Sequence, residues 1–248
     1  MMDRKYWEKV AGKQYGQLIF DVLGNDSNGE IVKAIQQIAS PQKTVVDVGC
    51  AVGRWLPLLA SSFKKVHAVD ISSKYIDTAK ENNRQFKNIE YLRADFFKVK
   101  KEVPVCDAAI CINMILTPNA NARHACFTNL SKTVKLNGHL ILVVPSLESA
   151  VFSQFIFNHW NSKSGKFDPT RKENSATGKN VFDGLIELDG TFTKHYLQTE
   201  LQFVLKTYGF QMLQATKVEY NWDTEFTEPP NWLTTPRPWD WLVVAKRK

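Results

Sequence analysis

The sequence has few cysteines, no long apolar run and no dense patch of charge, and each absence excludes a class of protein. The four cysteines show no paired metal-ligating spacing, so we predict neither a disulfide framework nor a metal site. They are typical of reduced, buried thiols in a cytoplasmic protein. The longest mostly apolar stretch, residues 103–116, is interrupted by Pro104, Asp107 and Asn113 and is too short to span a bilayer.

The net charge of +7 is spread over the chain rather than concentrated in one stripe. Short basic groups occur at residues 98–101 and 246–248, and both are typical of solvated chain ends. The dispersed charge argues against a nucleic-acid interface. The start of the chain carries charges and no apolar signal region. A length of 248 residues with 44% hydrophobic residues fits a single globular domain over residues 1–248.

Residues 44–55 are the segment around which the rest of the chain is organised. A β-branched run that includes Val46 predicts a buried strand, and Gly49 and Gly53 mark the turn that follows it. An apolar helical stretch begins near Trp55. Such a turn lets the backbone approach a ligand, and the new helix presents unpaired N–H groups to it. The spacing is not the Gly-x-Gly-x-x-Gly of dinucleotide-binding proteins.

This segment resembles motif I of the class I S-adenosylmethionine (SAM)-dependent methyltransferases, usually Asp-x-Gly-x-Gly-x-Gly. The copy here reads Asp47-Val48-Gly49-Cys50-Ala51-Val52-Gly53, with alanine in place of the middle glycine. A carboxylate at the end of the strand suits a cationic ligand better than a pyrophosphate. The resemblance therefore implies that SAM is the cofactor and that Asp47, Gly49, Cys50 and Gly53 bind it.

Acids also follow the next two predicted strands. Asp70 ends the second strand, 17 residues after Gly53, where an acid can accept both ribose hydroxyls of NAD or SAM; it could equally cap the next helix together with Ser72. The resemblance adds Ile71 to the cofactor contacts. It also implies that Asp95 meets the adenine amino group and that Phe96 supplies a backbone N–H or a ring face.

The fourth predicted strand, residues 105–116, carries the reactive edge in this family. The resemblance places Ile112 beside the transferred methyl group, and Asn113 is the only polar side chain there. Downstream, Asn137-Gly138 predicts the turn into a fifth strand. A helix is predicted from Thr193 to the Gly209 C-cap, followed by two last strands at residues 211–221 and 241–246.

The two flanking segments allow more than one interpretation. Residues 1–29 resemble an N-terminal cap that folds over the SAM site, and Tyr15 would then line the site; its aromatic residues would equally pin a terminal helix to the core. Residues 146–192 form an insertion with an aromatic helix at 150–160, a polar loop, and a hairpin around residues 189–190. It would cover the substrate site or simply pack on the core.

The predicted fold is α/β, a doubly wound, mostly parallel seven-stranded Rossmann-like sheet with an antiparallel last strand and the insertion after strand five. The resemblance implies direct in-line methyl transfer to an acceptor, with a small molecule favoured over nucleic acid and no membrane partner. The catalytic residue is unknown, and Tyr15, His159 and His195 are candidates for a base. A non-catalytic SAM-binding module, an NAD-linked oxidoreductase and an RNA methyltransferase are the alternatives.

Overall fold

The computed structural model describes residues 6–8, 22–98, 103–164, 178–188 and 191–248. The strands are β1 (Ser40–Val48), β2 (Phe63–Asp70), β3 (Ile89–Arg93), β4 (Cys106–Ile112), β5 (Val134–Pro145), β6 (Leu185–Leu188), β7 (Thr191–Lys194), β8 (Phe210–Glu219) and β9 (Trp239–Arg247). The α-helices are α1 (Val22–Asn25), α2 (Glu30–Ile38), α3 (Leu56–Ser62), α4 (Ser73–Asn82), α5 (Ala120–Thr133), α6 (Leu147–Ser164), α7 (Gly178–Phe182) and α8 (Gln198–Thr207).

Seven strands form one sheet in the order β3-β2-β1-β4-β5-β9-β8. Neighbours from β3 to β5 pair in parallel, and β9 pairs antiparallel with both β5 and β8. The strand order reverses between β1 and β4, and ligands of open α/β sheets bind at such a point, outside the carboxyl ends of the strands. The predicted doubly wound sheet with an antiparallel last strand is confirmed.

The sheet is buried on both faces, as continuous runs of Val, Ile and Leu in β1 and β5 predict. One face packs against α2, α3 and α4, and its core includes Val45, Ile110 and Leu242. The other face packs against α5 and α8, and its core includes Val46 and Leu142. Because side chains alternate along a strand, the two faces are easily told apart at every position.

The predicted helix from Thr193 begins too early. Residues 191–194 are β7, which pairs with β6 in the predicted hairpin, and the helix α8 starts only at Gln198. From the end of β7 onward the backbone is hydrogen-bonded to distant segments. The Lys194 N–H donates to Leu116 O in the loop after β4, and the Tyr196 N–H donates to Pro145 O at the end of β5, both at 2.8 Å. These long-range bonds override the local helical pattern.

The predicted fourth strand is also too long. It ends at Ile112 because Asn113 adopts a left-handed backbone conformation with φ 46°, which turns the chain out of the sheet. The Asn113 N–H still donates to Val143 O at 2.9 Å, so its side chain has a fixed position at the carboxyl edge. The insertion after β5 contains α6, α7 and the β6–β7 hairpin.

All four cysteines are free and buried. Across the residues described above, no helix has the combined length and apolarity required to cross a membrane. The same residues contain no group of three or more potential metal-ligating side chains.

Candidate functional site

The glycine turn after β1 is fixed against the neighbouring strand β2. Gly49 and Gly53 have φ angles of 81° and 79°, and Ala51 between them has φ 46°. The N–H groups of Gly49 and Cys50 both donate to Val69 O, at 2.8 and 3.0 Å. A left-handed backbone conformation is strained for most residues other than glycine, so Gly49 and Gly53 specify the turn, whereas Ala51 adopts this conformation at an energetic cost.

The two glycines of the turn have different neighbours. A Cβ atom built on Gly49 would lie 2.7 Å from Cγ of Met114, in the loop after β4. A Cβ atom on Gly53 would lie 2.7 Å from both Asn83 Nδ2 and Leu56 Cδ1. Gly53 therefore permits close packing of the start of α3 against α4, whereas Gly49 borders the loop at the carboxyl edge of the sheet.

Asp47 is a buried carboxylate with an unsatisfied oxygen. Its side chain is only 3% exposed, and its Oδ2 atom has no hydrogen-bond partner among the described residues. Burial, together with the negative charge of Asp70, raises the pKa of Asp47 to about 7. A buried acceptor of this kind is stabilised when a cationic donor binds to it.

Asp70 organises the turn as well as the next helix. Its Oδ2 accepts from the Ala51 N–H at 3.0 Å, and its Oδ1 accepts from the Ser72 N–H at 2.9 Å. The Ser72 hydroxyl is itself the cap of α4 and accepts from the Tyr75 N–H. Burial raises the pKa of Asp70, although these N–H groups oppose the shift. Each carboxylate oxygen keeps a second lone pair that can accept a ligand hydroxyl.

Glu8 is a further residue of this site, which the sequence does not predict. Its Oε1 accepts from the Ser73 N–H at 2.9 Å and its Oε2 accepts from the Ser72 hydroxyl at 3.1 Å. Residues 6–8 are thereby held at the start of α4, next to Asp70. A contact that spans 65 residues leaves no local pattern, and the only signal for it in the sequence is the pair of serines, Ser72 and Ser73, at the start of α4. Tyr15 lies outside the described residues.

The remaining predicted cofactor residues all lie at the carboxyl edge. Ile71 follows β2 and Ile112 ends β4; both are partly buried. Asp95 follows β3, where its carboxylate accepts from the Phe97 N–H at 3.1 Å and forms an ion pair with Lys98 at 3.0 Å. Phe96 is buried in the core of the second face. The structure thus brings the described members of the predicted set to the ends of β1, β2, β3 and β4.

A second polar group lies farther along the same edge. Asp240, at the start of β9, accepts from Tyr220 Oη at 2.9 Å and from Asn113 Nδ2 at 3.2 Å. Burial raises the pKa of Asp240 to about 6, although both hydrogen bonds lower it. Asp240 is paired with Pro145 at the end of β5. Only sheet pairing brings these residues together, so their spacing in the sequence does not predict the group.

Three carboxylates share one face of the sheet. Asp47, Asp70 and Asp240 each lie two residues from a member of the first core, Val45, Ala68 and Leu242 respectively. Side chains two residues apart in a strand point to the same face. Asp47 and Asp70 are on adjacent strands, and β9 is three strand spacings from β1, which corresponds to about 14 Å. The edge is therefore acidic over a length that suits two ligands side by side.

The two histidines considered as bases have other surroundings. His195 is 9% exposed, and its Nδ1 lies 3.2 Å from Thr193 O. Burial lowers the pKa of His195 to about 4, so it is neutral at physiological pH. His159, on α6, stacks on Phe155 and meets the edge of Trp232.

Residues 45–138 match the family model described as a methyltransferase domain. A SAM-dependent methyltransferase from Mesorhizobium loti superposes with a TM-score of 0.63 at 16% identity, covering 92% of this chain and 100% of its own. The N-methyltransferase NodS from Bradyrhizobium japonicum, solved with S-adenosylhomocysteine (SAH), superposes with a TM-score of 0.61 at 11% identity, covering 98% of this chain and 97% of its own. A 1,6-didemethyltoxoflavin N1-methyltransferase from Burkholderia thailandensis, solved with bound 1,6-didemethyltoxoflavin and SAH, superposes with a TM-score of 0.62 at 12% identity, covering 99% of this chain and 87% of its own.

The chain thus has the fold of the class I SAM-dependent methyltransferases, which confirms the resemblance drawn from motif I. At these low identities, the solved structures establish only the fold. No curated protein matches the chain by sequence.

Proposed function

We propose that this protein is a SAM-dependent methyltransferase that methylates a small-molecule acceptor. The observation that carries the proposal is Asp47, a buried carboxylate beside a glycine turn and one strand away from Asp70; the Oδ2 of Asp47 has no hydrogen-bond partner in the described part of the chain. The solved structures of NodS and of the toxoflavin methyltransferase contain SAH, which supports the same ligand for this fold. We also propose a cytoplasmic location, because all four cysteines are free and buried.

The residues of the site fit this cofactor. Asp47 would accept from the cationic methionyl part, and Asp70 would accept from the ribose hydroxyls. Asp95 and Phe96 would hold the adenine, while Ile71, Ile112 and Tyr15 complete the lining. When bound, SAM supplies an activated methyl group. The contribution of the chain is to hold donor and acceptor in line and to exclude water, which is mainly a proximity effect.

The alternatives differ from this proposal in what they bind and transfer. An NAD-linked oxidoreductase would need the dinucleotide glycine spacing, which the turn lacks. An RNA methyltransferase is disfavoured by the dispersed basic charge. A non-catalytic SAM-binding module would bind SAH but pass no radiolabelled methyl group to any acceptor in a broad panel, and that assay separates it from the enzyme.

Asp70→Ala is expected to weaken SAH binding at least ~10-fold, because it removes the proposed ribose acceptor and one anchor of the glycine turn. Isothermal titration calorimetry measures the affinity, and NAD serves as the second ligand. The matched control is Asp77→Ala, since Asp77 is an exposed acid on α4 that forms only a long ion pair with Lys80. Unchanged SAH affinity in Asp70→Ala would refute the ribose role. Binding of NAD but not SAH by the unaltered protein would refute the proposed function.

A further inference from the structure

We infer that the acceptor is an amine, bound through its nitrogen by Asp240 and Asn113 at the carboxyl edge of the sheet. This inference rests on the proposed function and assigns a substrate class to the same edge. It follows from the hydrogen-bonding groups available there, from the aromatic side chains of the neighbouring segments and from the position of the group relative to Asp47.

The polar atoms left available in this group are acceptors. Asn113 uses its amide Nδ2 to donate to Asp240, which leaves its Oδ1 buried and without a hydrogen-bond partner among the described residues. Tyr220 already donates its hydroxyl proton to Asp240. A carboxylate and an amide oxygen side by side require a ligand that brings N–H donors, as an amine or ammonium does.

A second carboxylate lies close to the first. Burial and the charge of Asp240 raise the pKa of Glu225 to about 7. Asp26 adds a third negative charge near Tyr220, and no ion pair with a lysine or arginine involves Asp240 or Glu225 in the described part of the chain. A ligand cation would relieve the repulsion between these acids.

Aromatic rings lie in the segments next to this acidic group. Trp222 stacks on Phe226 with centroids 5.4 Å apart, and Phe152 lies between Trp222 and Trp239, at 5.8 and 6.3 Å. Trp222 is 4% exposed, and its indole nitrogen has no hydrogen-bond partner within the described ranges. Buried donors are almost always paired, so this one is expected to meet a polar atom of a ligand. The ring of Trp239 already binds a cation, because Lys217 Nζ lies 3.7 Å from its centroid, and ring faces of this kind also bind organic ammonium groups.

The position of the group matches the transfer of a methyl group. Asn113 directly follows Ile112, the residue expected beside the methyl, and Asp240 shares its sheet face with Asp47 and Asp70. An amine on Asp240 would therefore lie on the β9 side of the cofactor. The bound ammonium would first give a proton to the Asp240 carboxylate, from which it passes to water. The nitrogen lone pair freed in this way would form the new N–C bond as the S–C bond breaks, with the bonding electrons remaining on sulfur, and the product would leave as the methylated ammonium ion.

The test measures amine binding to the SAH-loaded protein, independently of turnover. Phenethylamine and N-methylphenethylamine are compared by calorimetry with phenethyl alcohol and phenylacetate, which have a similar shape. We expect the amines to bind at least ~10-fold more tightly than the alcohol and the acid. Asp240→Asn should weaken amine binding at least ~10-fold while SAH affinity changes by less than about two-fold. The control is Asp223→Asn, because Asp223 is an exposed acid next to Trp222.

The experiment measures amine affinity and SAH affinity separately, so it distinguishes a failure of this inference from a failure of the proposed function. Three results would overturn the inference: tighter binding of the alcohol or the acid, no measurable binding of either amine, or unchanged amine affinity in Asp240→Asn. Retained SAH binding would in each case leave the proposed function intact. Loss of SAH binding in the unaltered protein would instead overturn the proposed function. If Asp240→Asn does not fold, Asn113→Gly takes its place, because glycine keeps the left-handed backbone of Asn113 and removes its Oδ1 acceptor. The same loss of amine affinity is expected, and unchanged affinity in that variant would equally overturn the inference.

Discussion

Asp47→Asn is expected to weaken SAH binding by about 100-fold and, at pH 8, to raise the free energy of unfolding of the ligand-free protein. The first effect follows because the variant replaces a buried carboxylate with a neutral amide, which loses a charge-assisted hydrogen bond to the ligand ammonium in a low-dielectric site. The second follows because the same carboxylate, when ionised and unpartnered, is costly to bury.

The sign of the stability effect comes from the raised pKa of Asp47. Burial and Asp70 bring it to about 7, whereas an unfolded chain has an ordinary aspartate pKa of about 4. Between these values the folded state holds a proton that the unfolded state has lost, so stability falls as pH rises through this window. The amide of the Asp47→Asn variant cannot ionise, and we expect the variant to be more stable by about 1–3 kcal/mol at pH 8 and by nearly nothing at pH 4.

Urea denaturation at pH 4 and pH 8, together with calorimetry with SAH, measures both effects. In the unaltered protein SAH should bind more weakly at pH 6 than at pH 8, because the carboxylate is protonated in a growing fraction of molecules. Asp77→Asn, at an exposed position on α4, should change neither quantity. Retained SAH affinity in Asp47→Asn, or a loss of stability at pH 8, would show that Asp47 does not face the ligand as an ionised group.

The proposed cofactor half of the site could be predicted from the sequence because its information is local. The acid, the glycine turn and the new helix follow one another within residues 44–55, and Asp70 follows its own strand directly. Hydrophobic runs then fix which residues are strands, and the parallel order brings their carboxyl ends to one edge. The same logic predicts that Asp95 lies at this edge, and in the structure it follows β3, with its side chain bonded to Lys98 and to its own loop.

The proposed acceptor half could not be predicted, because it depends on pairing between distant strands. Asn113 and Asp240 are 127 residues apart and meet only because β9 inserts between β5 and β8. Asparagine tolerates the left-handed conformation better than most residues, but this preference alone does not predict the turn that directs Asn113 toward Asp240. Glu8 escapes prediction for the same reason. Tertiary hydrogen bonds likewise decide that residues 191–194 form a strand and not a helix.

Gly53→Ala is expected to lower the free energy of unfolding by about 3–4 kcal/mol, whereas Gly49→Ala should cost about 1–2 kcal/mol and act mainly on ligand binding. Both substitutions force a left-handed alanine. At Gly53 the new methyl group also overlaps Asn83, Leu56 and Ala79 at 2.7 to 3.1 Å, on two packed helices that cannot separate easily. At Gly49 it meets only Met114, a flexible side chain that can move toward the ligand site.

The matched control is Gly29→Ala, because Gly29 has a φ of 65° but nothing within 4 Å of the position of a new Cβ atom. It measures the cost of the backbone conformation alone, which we expect to be about 1 kcal/mol. Urea denaturation of the three variants separates the cost of backbone strain from the cost of steric overlap. SAH titration at a temperature where all three are folded separates steric overlap from the loss of a ligand contact. Equal stabilities of Gly29→Ala and Gly53→Ala would mean that α3 and α4 can relax. Full SAH affinity in Gly49→Ala would mean that the ligand does not approach the backbone of the turn at this residue.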